Sequence, residues 1–134
     1  MLLCMVMVGV LAHGTQAHGT STVTLDGRNW SLDNFGEDLI ATVHKGGTFR
    51  WDTSAGLNTR ATVITQAPTN SRFNLVSMPD RHIFLFGTET TIADSTTQDD
   101  LFLRFSSQED FTTWTPTATN TAGSFRIQDG SKIV

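Results

Sequence analysis

Beyond residue 20 the chain alternates short apolar runs with polar, turn-forming intervals, and no stretch holds the 3.6-residue period of an amphipathic helix over three turns. "TVTL" (22–25) alternates and runs into Asp26-Gly27, a tight-turn signal. "DLIATVH" (38–44), "KGG" (45–47) and "TFRWD" (48–52) predict a hairpin. In its first strand Ile40, Thr42 and His44 share one face and Leu39, Ala41 and Val43 the other, so both faces are expected to be covered. "TRATVIT" (59–65) predicts a further strand, which "APTNS" (67–71) breaks. "FNLVSM" (73–78), a Pro79-Asp80 turn and "RHIFLFGT" (81–88) follow, with Ile83, Phe84, Leu85 and Phe86 expected as a fully buried run. A polar loop (88–99) precedes "DLFLRFS" (100–106), where Leu101, Leu103 and Phe105 share a face, and "GSFRIQ" (123–128) gives a last strand.

These strands predict an all-β domain over residues 21–134, and the pattern repeats. "GEDLIATVHKGGTFRWDTS" and "PDRHIFLFGT…DDLFLRFSSQEDFTTWTP" each open on a polar turn carrying an acid. Each then runs through an apolar strand, crosses a polar loop and returns on a strand leading to Trp51 or Trp114. Antiparallel meanders at a period of about 50 residues fall in the range of β-propeller blades. The expected fold is therefore propeller-like, with about two blades of an incomplete propeller. A β-sandwich is the alternative, because period-2 patterning does not encode how sheets are arranged.

Composition narrows the function classes. At 134 residues the chain is one small domain or a part of something larger. Charged residues make up 16%, below the usual quarter, and the net charge of -4 gives no basic footprint for a nucleic-acid backbone. Cys4 is the single cysteine, which excludes an internal disulfide and a thiolate metal cage from this chain alone. "MLLCMVMVGVLA" (1–12) is short for a membrane span. It has the apolar core of a secretory signal, with Thr15-Gln16-Ala17 as cleavage site, but no Lys or Arg precedes Arg28. "HGTQAHGT" (13–20) fits a flexible linker better than a His13–His18 metal pair. Residues 1–20 are thus expected to be a flexible or signal-like segment, with no membrane anchoring.

"SSQEDFTTWTP" (106–116) concentrates acids and aromatics and is the strongest candidate for chemistry. It resembles the Asp-box, a turn motif of Ser-x-Asp-x-Gly-x-Thr-Trp. Ser107, Thr113 and Trp114 match, Glu109 stands for the Asp and Phe111 for the Gly. A carboxylate in such a turn is occupied as a hydrogen-bond acceptor, so the stretch is expected to be structural. Other candidates lead the same way. Asp33, Glu37 and Asp38 around Gly36 lack the ligand order of a calcium loop. Asp80, Arg81 and His82 have no nucleophile motif beside them. Lys45-Gly46-Gly47 lacks the spacing of a phosphate loop, and Asn29-Trp30-Ser31 is a glycosylation sequon only in an exported eukaryotic chain. Trp30, Trp51 and Trp114 are candidates for a sugar-stacking platform, though aromatics closing sheets are commoner. No catalytic, metal or cofactor site is assigned.

"WSLDNFGEDLIATVHKGGTFRWD", "RHIFLFGT" and "LFLRFSSQEDFTTWTPTATNTAGSFRIQDGSKIV" resemble a segment of tailed-bacteriophage structural proteins. These are large tail or neck proteins of the nozzle or tubular type. The resemblance spans about residues 30–134, is most specific in "SxQEDxTTWTPTATNTAG", and leaves residues 1–20 unmatched. It implies a propeller-rich component of the virion tail that assembles as a homo-oligomeric ring with other virion proteins and without catalysis. The chain would then be one portion of a longer protein. The alternative is a secreted carbohydrate-binding or glycosidase-related propeller module, since Asp-boxes also occur there. Asp129-Gly130 followed by "SKIV" predicts a turn and a new strand without a partner. The isolated chain is therefore expected to be marginal, aggregating or pairing through edges. Light scattering with thermal melting checks this, and a soluble monomer with a sharp transition above roughly 45–65 °C contradicts it.

Overall fold

The computed structural model describes residues 27–134. The predicted strand at 22–25, the turn at Asp26 and the readings of Cys4, His13 and His18 lie outside the described residues. The described residues form eight strands: β1 (Trp30–Phe35), β2 (Asp38–Val43), β3 (Thr48–Trp51), β4 (Thr62–Val63), β5 (Phe73–Val76), β6 (Ile83–Phe86), β7 (Phe102–Phe105) and β8 (Gly123–Arg126). They form two four-stranded antiparallel sheets in the sequential orders β1-β2-β3-β4 and β5-β6-β7-β8. The fold is all-β, as expected. Each sheet is an up-and-down meander that exchanges no strand with the other, so each has the form of a blade. The same two layers also meet the description of a small sandwich.

The period-2 rule sets the faces. On the inward side the first sheet presents Phe35 and Ile40, and the second presents Val76, Ile83 and Leu85. Ile64, Ala67 and Trp114 complete this core, with Ile92 and Phe111 packed against it. Thr42 and Thr48, also fully buried, satisfy each other at 3.0 Å between hydroxyls. Ala41 and Val43 on the opposite face are buried too, so β2 is covered on both faces as its sequence predicts.

The sheets are joined at the edge of β5. β6 takes one edge of this strand, which leaves the N–H groups of Asn74 and Val76 on the other. β1 lies along that free edge and answers with side chains. Asp33 Oδ2 accepts from the Val76 N–H at 2.7 Å. Ser31 Oγ accepts from the Asn74 N–H at 3.1 Å and donates to Asn74 Oδ1 at 2.6 Å. The β2–β3 hairpin continues the seam: the Lys45 N–H donates to the Ser71 carbonyl, and the Ser71 N–H donates to the Gly46 carbonyl.

Several expectations are corrected. "WSLDNF" is strand β1, which the sequence pattern did not predict, and the turn around Gly36 is confined to Gly36 and Glu37 between β1 and β2. Ile83 and Leu85 are fully buried but Phe84 and Phe86 are only half-buried, so β6 alternates and is not buried throughout. The hairpins β2–β3 and β6–β7 do correspond, as second and third strands of each meander, but Trp51 and Trp114 are not equivalent. Trp51 is a β3 residue paired with Leu39, whereas Trp114 follows β7 in the connection to β8. "SKIV" forms no strand, and the Ile133 N–H donates instead to the Asp100 carbonyl at 3.0 Å.

Trp114 is 2% exposed at the centre of the core. Trp114→Ala should lower stability by about 3–5 kcal/mol, read from urea unfolding midpoints. Asp33→Ala leaves the Val76 N–H without its acceptor and should cost about 1–3 kcal/mol. Ser31→Ala is expected to add to this less than independently, because both side chains serve one edge.

Candidate functional site

The "SSQEDFTTWTP" stretch is a turn, and the carboxylate that builds it is Asp110 and not Glu109. Asp110 Oδ1 accepts from the Thr112 N–H at 2.7 Å and its hydroxyl at 2.6 Å, while Oδ2 accepts from the Thr113 hydroxyl at 2.6 Å. Glu109 occupies the left-handed region at φ 54°. The Ser107 side chain pairs with Thr121, outside the turn, and its backbone N–H closes the turn onto the Thr113 carbonyl. The Trp114 indole N–H donates to the Phe111 carbonyl at 2.8 Å, which lets the ring enter the core with no unpaired polar atom. Asp52 and Asp94 repeat the device on Ser54 and Thr96, each accepting from the backbone and the hydroxyl two residues on. The spacing Asp-x-Ser/Thr is visible in the sequence at all three places and identifies the Asp that acts.

The other candidates do not converge. Asp33 is held by β5, and Asp38 pairs with Arg50 at 2.5 Å, so the calcium-type set is divided between two structural tasks. Among the described residues no group of three or more His, Cys, Asp or Glu side chains is placed to hold a metal. His82 Nδ1 meets the Ser106 carbonyl at 2.8 Å and its ring packs edge-on to Phe105, as an edge histidine would. Lys45-Gly46-Gly47 belongs to the β2–β3 hairpin. Glu89, fully buried, accepts from Thr69 and from the Ala93 N–H. Arg104 lies within its electrostatic reach, and burial lowers the guanidinium's pKa against the opposing effect of Glu89.

The surface that stands out is on the outward sides of the two sheets. On the second sheet, register aligns Phe73, Phe86, Leu103 and Phe125 in one row and Leu75, Phe84 and Phe105 in the next. Phe73 stacks on Phe86 at 4.7 Å, and Phe84 lies 5.3 Å from Phe105. Phe105 covers Gly123, where any Cβ would overlap the ring. Leu75 and Phe125 stand out of this face, 47% and 56% exposed. No polar side chain interrupts the two rows.

The first sheet's outward side is also apolar but hollow. Trp30, Leu32, Leu39, Ala41 and Trp51 floor a cleft of about 570 Å³, walled by the segment after β3 that carries Leu57, Asn58, Thr59 and Arg60. The Trp51 indole N–H donates to the Thr59 carbonyl at 3.1 Å and holds that wall in place. The structure thus brings Trp30 and Trp51 together and sends Trp114 to the core. The signal for both faces was present as strand alternation, but the sequence did not say which parity faced the neighbouring sheet.

Protein-family models, curated proteins and solved structures were compared with the chain, and none matches it. Among the described residues no helix is long and apolar enough to cross a membrane.

The acids set the pH response. Asp100 is lowered from the ordinary aspartate value, first by its hydrogen bonds from Arg72, at 2.8 and 2.6 Å. Asp110 is partly buried, which raises it, but the bonds from Thr112 and Thr113 outweigh this and leave it lowered. A depressed folded-state pKa stabilises above the unfolded value and loses that contribution as pH falls through the folded one. Stability should therefore hold from neutral pH down to about 5 and decline below about pH 4. Urea midpoints measured across that range check this, and Arg72→Met should reduce the slope.

Proposed function

We propose that this chain is a structural component of a bacteriophage virion, in the tail or neck assembly, acting by self-assembly without catalysis. The observation that carries the reading is the pair of outward sheet faces, both apolar and both bearing exposed hydrophobic side chains, Leu32 and Val63 on the first and Leu75 and Phe125 on the second. Contiguous apolar surface of this kind marks an interaction site. Burial of such faces between subunits is the mechanism by which a ring of β-subunits would hold together, and the resemblance of residues 30–134 to tail and neck proteins supplies the setting. The cleft holding Trp30, Trp51 and Arg60 favours one second reading, a carbohydrate-binding module of a secreted propeller. Two indoles and a guanidinium suit the apolar face and hydroxyls of a sugar.

Mass spectrometry of purified virions from the phage encoding this chain tests the first reading. Its peptides should be present at a copy number comparable with other tail components, and portal or capsid genes should adjoin its own. Absence from the particles overturns it. A glycan array tests the second: specific binding lost in Trp30→Ala and Trp51→Ala supports the sugar module, and no binding removes it.

A further inference from the structure

The cleft on the first sheet has the size and lining of a small-molecule site. Its volume of about 570 Å³ falls within the roughly 300–1,000 Å³ of such sites, which are mostly apolar with a few placed polar groups. Leu32 on its floor and Leu57 on its wall are 56% and 81% exposed, so an occupant would remove from water apolar surface that otherwise stays in it. The floor is also long. Trp30 pairs with Val43 and Trp51 with Leu39, which sets the two tryptophans four residues apart along β2 and two strands apart across the sheet. At about 3.3 Å per residue and about 4.8 Å per strand, their backbone positions stand roughly 16 Å apart on a diagonal. Leu32, paired with Ala41, lies between them. Such a floor gives an extended hydrocarbon chain dispersion contacts along its length.

The polar groups are confined to one wall, Asn58, Thr59 and Arg60. Arg60 is the one charged side chain in the lining, and among the described residues no carboxylate is paired with it. Its neighbour is fixed on both sides: the Thr59 carbonyl accepts from the Trp51 indole at 3.1 Å, and the Thr59 hydroxyl donates to the Gly56 carbonyl at 2.7 Å. A guanidinium beside an apolar trough complements a molecule with a hydrocarbon body and one anionic head, because its planar fork matches a carboxylate or phosphate.

We propose that the Trp30–Trp51 cleft binds a linear amphipathic anion, its chain along the floor and its carboxylate, sulfate or phosphate head on Arg60. The wall encloses one side of the floor, which suits a single free molecule and not the plane of a bilayer. The site is independent of the assembly reading, and it differs from the sugar reading in that hydrocarbon, and not a hydroxylated ring, lies on the floor.

Isothermal titration calorimetry of the full-length chain with sodium decanoate below its micelle concentration tests this, and one saturable site is expected. Octanoate should bind about tenfold more weakly, as the loss of two buried methylenes requires. The uncharged 1,2-decanediol should bind about fivefold more weakly, the upper end for an exposed ion pair. Arg60→Gln should bring decanoate down to the affinity of the diol and leave the diol unchanged. Leu32→Asp should abolish decanoate binding, whereas Phe125→Asp, on the other sheet, should bind as the unaltered chain does. Urea midpoints confirm that the three variants remain folded. Absence of saturable decanoate binding overturns the proposal, as do equal affinities for decanoate and the diol or an affinity unchanged by Arg60→Gln. Binding lost in Phe125→Asp and kept in Leu32→Asp moves the ligand to the other sheet and overturns it too. Binding only to phosphatidylglycerol vesicles, or only to an oligosaccharide, likewise overturns it, in favour of a membrane contact or the sugar module. None of these results depends on virion composition, so the proposal and the assembly reading fail separately.

Discussion

The arrangement depends on how the free edge of β5 is satisfied. An exposed strand edge offers its N–H groups to any strand that approaches, and direct pairing with β1 would have merged both meanders into one continuous sheet. Asp33 and Ser31 place side chains in that gap instead, accepting from Val76 and Asn74. A side chain between two backbones separates them beyond the ladder distance of about 4.8 Å, so the sheets are free to face each other. Once they face, Ile40 can meet Val76, Ile83 and Leu85, and the opposite parity of every strand is committed to the outside. The carboxylate at this joint makes a charge-assisted bond, stronger than a neutral one would be.

The abundance of Ser, Thr and Asp has a related explanation. Asp52, Asp94 and Asp110 each turn the chain by accepting from a hydroxyl residue two positions on, which lets short strands follow one another without glycine at each corner. The third of these turns also delivers Phe111 and Trp114 back between the sheets. Phe111 meets Phe35 edge-on at 6.1 Å and lies under the Arg50 guanidinium at 4.5 Å, so a connection of the second sheet is anchored on the first. With these acids occupied in turns and in the seam, the exposed hydrophobic side chains Leu32, Val63, Leu75 and Phe125 stand on the outward faces of the two sheets.

The sequence by itself determined the all-β class, the β2–β3 hairpin, the correspondence of β6–β7 with it, and the structural nature of residues 106–116. Those follow from local chemistry: alternation, turn residues, and the need of an indole for burial. β1 was missed for a related reason. Its polar members Ser31 and Asp33 look like loop residues because their partners, the Asn74 and Val76 backbone groups, stand 43 positions away in the chain. Motif spacing points to Glu109, whereas the Asp-x-Thr geometry selects Asp110, which accepts from Thr112. Only the tertiary structure separated Trp51 from Trp114 and divided Ile83 and Leu85 from Phe84 and Phe86. Period-2 patterning gives two faces to a strand, but the choice of which face meets another sheet is made by contacts between residues far apart in sequence.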